Sequence, residues 1–215
     1  TMSQNLSNPA RVAVVGAGYW GKNLVRNHHL LGSLAVICDP DPEIRETMAK
    51  TYPDISVVDD MEAVLNNPDI SALVISTPAA THGRMVKRAL LADKHVFIEK
   101  PLCLNVSEAE ILADMATERG LVLMVGHLLL YHPAFIALKS ALVEGRLGKL
   151  RYIYSNRLSL GKIRREENAL WSFAPHDISM ILSLVGDTPK SIVCNGGNYL
   201  HSQVADTSLS HLSFS

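Results

Sequence analysis

Residues 16–21, Gly16-Ala17-Gly18-Tyr19-Trp20-Gly21, carry the spacing G-x-G-x-x-G. Glycine at the first position permits a tight turn, at the second it lets backbone approach a pyrophosphate without a Cβ clash, and at the third it lets a helix pack closely on a sheet. Helix-terminal N–H groups then face the phosphate charge. Asp39 follows at about the interval expected of the acid that holds an adenosine ribose. The run Asp39-Pro40-Asp41 sets carboxylates where that ribose should lie. A carboxylate accepts from a 2′-hydroxyl and repels a 2′-phosphate, so the expected cofactor is NAD rather than NADP. The bland alternative is an ordinary glycine-rich turn with Asp39 solvated. Tyr19 and Trp20, inside the turn, either cover the cofactor or staple the helix to the sheet. A second cluster is basic: Arg157, Lys162, Arg164 and Arg165, with Asn156 and Asn168 beside them. Guanidinium groups clamp phosphate and carboxylate bidentately, which suits an anionic substrate; a solvated charge cluster is the alternative.

These residues must be positioned by elements, and the hydrophobic rhythm supplies them. Short β-branched runs alternate with segments of helical period, the pattern of a parallel sheet covered by helices on both faces. Strands are predicted at 11–15, 34–38, 56–58, 72–76, 95–98 and 121–125. The intervening helices are predicted at about 20–31, 42–51, 60–66 and 80–92, with a fifth opened by a Ser107-x-x-Glu110 capping box. Six strands with their helices make a complete Rossmann doubly wound domain over residues 11–126, behind a disordered lead at 1–10. Beyond Gly126 the rhythm changes. Helices are predicted at about 133–144 and 175–184, and strands at about 150–159, 191–194 and 207–214. The expected second domain, 127–215, is therefore α+β with a largely antiparallel open sheet. That sheet lacks return strands to cover both faces, so a longer natural chain is expected.

The fifth strand ends in Glu99-Lys100-Pro101, and here the chain resembles the Gfo/Idh/MocA oxidoreductase family, whose corresponding strand ends in E-K-P with the lysine directed at substrate hydroxyl and nicotinamide. The resemblance covers nearly all of residues 11–215. Within it, residues 154–178 (YSNRLSLGKIRREENALWSFAPHDI) resemble the UDP-N-acetylglucosaminuronate 3-dehydrogenases of bacterial surface-polysaccharide pathways. The resemblance implies NAD-dependent oxidation of a sugar hydroxyl, which needs an acceptor for the hydroxyl proton and a donor to the developing alkoxide. Lys100 and His176 are the implied pair. Family members often carry Asp four residues before the histidine. Ser172 stands there in this chain and cannot orient an imidazole as a carboxylate does, which favours Lys100 as the proton acceptor. By the same resemblance Ser76, Thr77, Pro78, His82 and Glu99 line the cofactor, and His127, following Gly126, faces the cleft. The implied substrate-binding set is Lys100, His127, Asn156, Arg157, Arg164, Arg165, Asn168, Ser172 and His176. The basic loop favours a UDP-uronate over a neutral sugar or inositol, with another sugar or nucleotide-sugar dehydrogenase as the alternative. A non-catalytic NAD-binding regulatory module is the reading from a different class, since a glycine turn alone would serve it.

Composition narrows the field. The 215 residues are 47% hydrophobic and 19% charged, with a formal charge of -1, ordinary globular values that steer the chain toward neither nucleic acid nor an anionic membrane. Apolar stretches are broken well short of the roughly 20 residues a spanning helix needs. The polar start, residues 1–10, lacks the layout of a secretory signal, so a cytoplasmic location is expected. Cys38, Cys103 and Cys194 are too scattered for a disulfide framework or a C-x-x-C site, and the nine histidines form no ligand-spaced cluster, so no metal is expected. Alternating apolar residues over 191–214 imply a sheet face that relatives use to pair subunits, and a homo-oligomer is expected by that analogy.

Overall fold

A computed structural model describes residues 10–158, 168–200 and 202–215. The chain divides into two compact units between Gly126 and His127.

The first unit is built on six strands, β1 (Val12–Val15), β2 (Leu34–Cys38), β3 (Ser56–Val58), β4 (Ala72–Ile75), β5 (His95–Ile98) and β6 (Leu123–Val125). All pair in parallel, in the order β3-β2-β1-β4-β5-β6. Between them run α1 (Gly21–Leu30), α2 (Pro42–Thr51), α3 (Met61–Leu65), α4 (His82–Leu91) and α5 (Val106–Glu118). Side chains alternate across a strand, and here both directions are apolar. Val12 and Val14 of β1, Ile37 of β2 and Val74 of β4 pack with Val25 of α1 and Met48 of α2 on one face. Ala13, Val15, Leu73, Ile75, Val96 and Ile98 pack with Val86, Leu90 and Leu112 on the other. Burial on both faces explains why these strands read as continuous apolar runs. Because the order reverses at β1, the loops after β1 and β4 diverge at the carboxyl edge and leave the crevice where ligands bind in such sheets.

Local chemistry sets the helix starts. Asp41 caps α2, its side chain accepting from the Glu43 and Ile44 amides, and Asp60 caps α3 by accepting from Glu62. At α5 the observed start differs from the expected Ser107-x-x-Glu110 box: Asn105 is the cap, accepting from the Glu108 amide at 3.0 Å. The chain offers the same spacing twice, and the earlier site wins. Glu108 instead lies over α4, where a Cβ on Gly83 would meet its carboxylate oxygen at 2.2 Å. Lys94, at the start of β5, is buried and donates to the carbonyls of Asn67 and Ile70, both at 2.8 Å.

The second unit holds α6 (Pro133–Val143), α7 (Ala169–Val185) and an antiparallel pair, β7 (Ser191–Gly197) with β8 (Thr207–Ser213). Two expectations fail here. Residues 150–158 carry no regular structure, because a strand exists only within a ladder and, among the described residues of this unit, β7 and β8 pair with each other. Helix α7 begins at Ala169 rather than Pro175; Asn168 caps it by accepting from the Trp171 amide at 2.9 Å, and Pro175 sits inside. Proline is most comfortable in a first turn, which is why the sequence suggested a start there, but a strong cap upstream prevails. Among the described residues no helix is long and apolar enough to cross a membrane.

The cap assignment is testable by urea denaturation: Asn105→Ala should cost about 1 kcal/mol, whereas Ser107→Ala should cost under about 0.5 kcal/mol.

Candidate functional site

The glycine turn between β1 and α1 is closed by backbone contact. Gly16 has φ +88°, and a Cβ on it would lie 2.6 Å from the Ser76 carbonyl oxygen. A Cβ on Gly21 would lie 1.9 Å from the Gly16 carbonyl oxygen, so α1 approaches the strand end more closely than any side chain allows. Gly18 is the opposite case, its Cβ position facing open space. Two of the glycines thus serve packing, and the third leaves an open cradle beside the N-terminus of α1, the positive end of the helix. That arrangement fits a dinucleotide pyrophosphate.

Asp39, at the end of β2, is buried. Its Oδ2 accepts from the Ala17 amide at 2.7 Å and its Oδ1 from the Asp41 amide at 2.9 Å. The carboxylate therefore braces the glycine turn, while each oxygen keeps acceptor capacity for a ribose hydroxyl. Arg45, which the sequence reading passed over, donates to the carbonyls of Asp39 and Pro40 at 3.0 and 2.6 Å and fixes the same loop. An arginine in the first turn after Asp-Pro-Asp-Pro was the available signal.

Trp20 donates from its indole nitrogen to Glu99 Oε1 at 2.8 Å, joining the turn after β1 to the end of β5. Of the two expectations for this residue, the structure supplies a staple. Tyr19 is 89% exposed, with the Lys22 ammonium 5.5 Å from its ring centroid. Glu99 also donates its amide to the Ile75 carbonyl, and Gly126 donates to the Ile98 carbonyl. Lys100 follows Glu99 at the carboxyl edge and is half-buried. On the loop after β4, the Thr77 and Thr81 hydroxyls lie 2.7 Å apart and either can donate to the other, with Met85 Sδ and the Pro78 carbonyl as alternative acceptors for Thr77 and Thr81 respectively. Ser76 supplies the carbonyl that crowds Gly16.

His82 departs from its expected place as a cofactor-lining side chain. It is 1% exposed, and both ring nitrogens contact carbonyl oxygens, Nδ1 that of Pro101 at 2.6 Å and Nε2 that of Thr77 at 2.8 Å. A ring enclosed in this way has no surface to offer a ligand.

In the second unit, Ser172 and His176 share one face of α7 through their spacing of four, and Ser172 is buried. His127 is half-buried, its Nδ1 has no hydrogen-bond partner among the described residues, and burial holds its pKa below the usual histidine value. Asn156 is exposed, and Asn168 spends its side-chain oxygen on the α7 cap. Arg157, expected as an anion clamp, instead donates from Nε to Asp177 at 2.5 Å, and Ser155 donates to the same carboxylate at 2.7 Å. A guanidinium facing a carboxylate is already neutralised, so Arg157 does not stand as an open anion site. Asp177 was missed in the sequence; its signal was the His-Asp pair on α7. Lys162, Arg164 and Arg165 lie outside the described residues.

A family model described as "Oxidoreductase family, NAD-binding Rossmann fold" matches residues 10–127. The chain belongs to the Gfo/Idh/MocA oxidoreductase family. Among family relatives, UDP-N-acetylglucosamine 3-dehydrogenase from Acidithiobacillus ferrooxidans is 30% identical over 85% of this chain and 56% of its own. Its crystal structure superposes with a TM-score of 0.85 at 28% identity, covering 96% of this chain and 64% of that one. The 2,7-anhydro-N-acetylneuraminate hydratase of Mediterraneibacter gnavus is 27% identical over 88% of this chain and 53% of its own. The scyllo-inositol 2-dehydrogenase (NAD(+)) of Bacillus subtilis is 31% identical over 68% of this chain and 44% of its own. The chain spans about half the length of the curated relatives it matches.

Two measurements check this geometry. Gly21→Ala should cost about 2 kcal/mol in urea denaturation through overpacking, while Gly18→Ala should stay within about 0.5 kcal/mol of the parent. Burial also lowers the His28 pKa, so for both His28 and His127 the unfolded chain takes up protons first. Stability should hold above about pH 6.5 and fall on acidification through the folded-state values. Denaturation at successive pH values should show a smaller acid loss in His127→Gln.

Proposed function

We propose that the protein uses NAD to oxidise the C3 hydroxyl of UDP-N-acetylglucosaminuronic acid to a 3-keto sugar. The observation that carries this reading is the carboxyl edge of the first unit. The open Gly18 cradle and the half-buried Lys100 lie at strand ends of the same sheet, and the Trp20–Glu99 hydrogen bond links their loops. Residues 154–178 and the relative that is a UDP-N-acetylglucosamine 3-dehydrogenase support a nucleotide-sugar substrate.

Gly16, Gly18 and Gly21 would hold the pyrophosphate against the start of α1, and Asp39 the adenosine ribose, which favours NAD. When bound, NAD supplies the acceptor for the hydride that leaves the sugar carbon. The side-chain nitrogen of Lys100 takes the hydroxyl proton as the C–O bond becomes a carbonyl, so the sugar loses two electrons and two hydrogens in all. His176 is the second acid–base candidate, on the strength of the family resemblance alone.

Replacing the lysine tests this. Lys100→Met should lower the rate of NADH formation from UDP-N-acetylglucosaminuronic acid by a factor on the order of 1,000, with NADH affinity, read by nicotinamide fluorescence, within about threefold of the parent. Normal turnover in the variant would remove Lys100 from the chemistry. UDP-N-acetylglucosamine and scyllo-inositol in the same assay separate the uronate from a neutral nucleotide-sugar and a free polyol.

A further inference from the structure

We infer that His82 is the positioning residue for Lys100, acting through the carbonyl of Pro101. This deepens the proposed function and rests on it for the catalytic meaning of Lys100, but the geometry stands alone. Strands β4 and β5 are parallel neighbours, with Ile75 opposite Ile98. The loops that leave them carry Thr77 and Pro101, and His82 opens α4 between the two. Its ring is 1% exposed and contacts both carbonyl oxygens, Thr77 at 2.8 Å and Pro101 at 2.6 Å. Carbonyl oxygens only accept, so in each contact the ring nitrogen is the only group that can donate.

The residue before Lys100 is tethered as well. Glu99 donates its amide to Ile75 and accepts from the Trp20 indole. Lys100 therefore leaves the sheet between two anchored neighbours, one held by Trp20 and the strand ladder, the other by His82. A phenylalanine at position 82 keeps most of the ring volume and loses both ring nitrogens. Part-buried carbonyls left without a donor are costly, and the segment around Pro101 relieves that cost by moving toward solvent, taking Lys100 with it. Glutamine carries two hydrogens on one nitrogen and can serve both carbonyls.

Pulsed acetylation read by mass spectrometry tests this without a substrate. Lys50, whose side chain is 74% exposed, reports reagent strength, and buried Lys94 reports opening of the whole unit. In His82→Phe the Lys100 rate relative to Lys50 should rise about fivefold or more with Lys94 still protected, and in His82→Gln it should return to within about twofold of the parent. An unchanged Lys100 ratio in His82→Phe with Lys94 protected overturns the inference. Should His82→Phe expose Lys94 too, His82→Gln decides: a parental Lys100 ratio supports the clamp, and a ratio raised about fivefold with Lys94 protected overturns it. NADH should protect Lys100 in the parent; its failure to do so overturns the proposed function alone, since the clamp is scored without cofactor.

Discussion

No side chain fits between the carbonyl of Gly16 and the α-carbon of Gly21, and the first unit is arranged around that fact. The 1.9 Å that a Cβ at Gly21 would leave to the Gly16 oxygen is far inside any atomic contact. Because both positions are glycine, α1 starts directly over the end of β1 rather than a turn further out. That placement lets the Ala17 amide reach Asp39 at the end of β2 and the Trp20 indole reach Glu99 at the end of β5. Gly18, free of this crowding, is left facing open space. One steric constraint thus fixes the pocket wall, the acidic brace and the anchor beside Lys100.

The carboxyl edge is then tied across its width by polar contacts that the apolar core cannot provide. Packing on the two faces holds the strands in register but is indifferent to where the loops beyond them point. Asp39 ties β1 to β2, Trp20 ties the β1 loop to β5, and His82 ties the β4 loop to the β5 loop. Each such bond contributes about 1 kcal/mol net, which is modest against the core. Their effect is directional: they select one arrangement of loops that hydrophobic burial alone would leave free. Chemistry that needs atoms held to fractions of an ångström depends on such selection more than on total stability.

The sequence made the first unit legible because its signals are local. β2, α2, β3 and β5 were readable to the residue, since turn residues bound each apolar run, and the glycine spacing identified the β1–α1 turn. What escaped was whatever depends on long-range pairing. Residues 150–158 have strand composition, yet a ladder partner cannot be read from composition. At α5 the spacing of a cap and a glutamate three residues on occurs at both Asn105 and Ser107, and the folded chain uses Asn105, with Glu108 packed over Gly83 of α4. His82 was identifiable as a residue near the site but not as a buried clamp, because its partners are carbonyls at positions 77 and 101 that any residue type could supply. Arg157 read as an open cation because Asp177, twenty residues away, is adjacent only in the folded unit.

The Arg157–Asp177 pair changes where substrate charge must be recognised in the proposed reaction. A guanidinium that already donates to a carboxylate offers an incoming uronate only its remaining N–H groups and no net positive field. Ser155 binds the same carboxylate, so Asp177 is held from two sides and is poorly placed to swing away. The pair therefore serves better to fix the segment at 155–157 against α7 than to bind a substrate anion. In the proposed reaction, recognition of a uronate carboxylate is therefore a task for cations other than Arg157. In the same proposal the first unit has no part in that choice, because its cradle is built from backbone and Lys100 would meet a hydroxyl that every polyol presents. The same edge can accordingly sit beneath relatives named for an inositol and for a nucleotide-sugar, with selectivity left to residues outside the sheet.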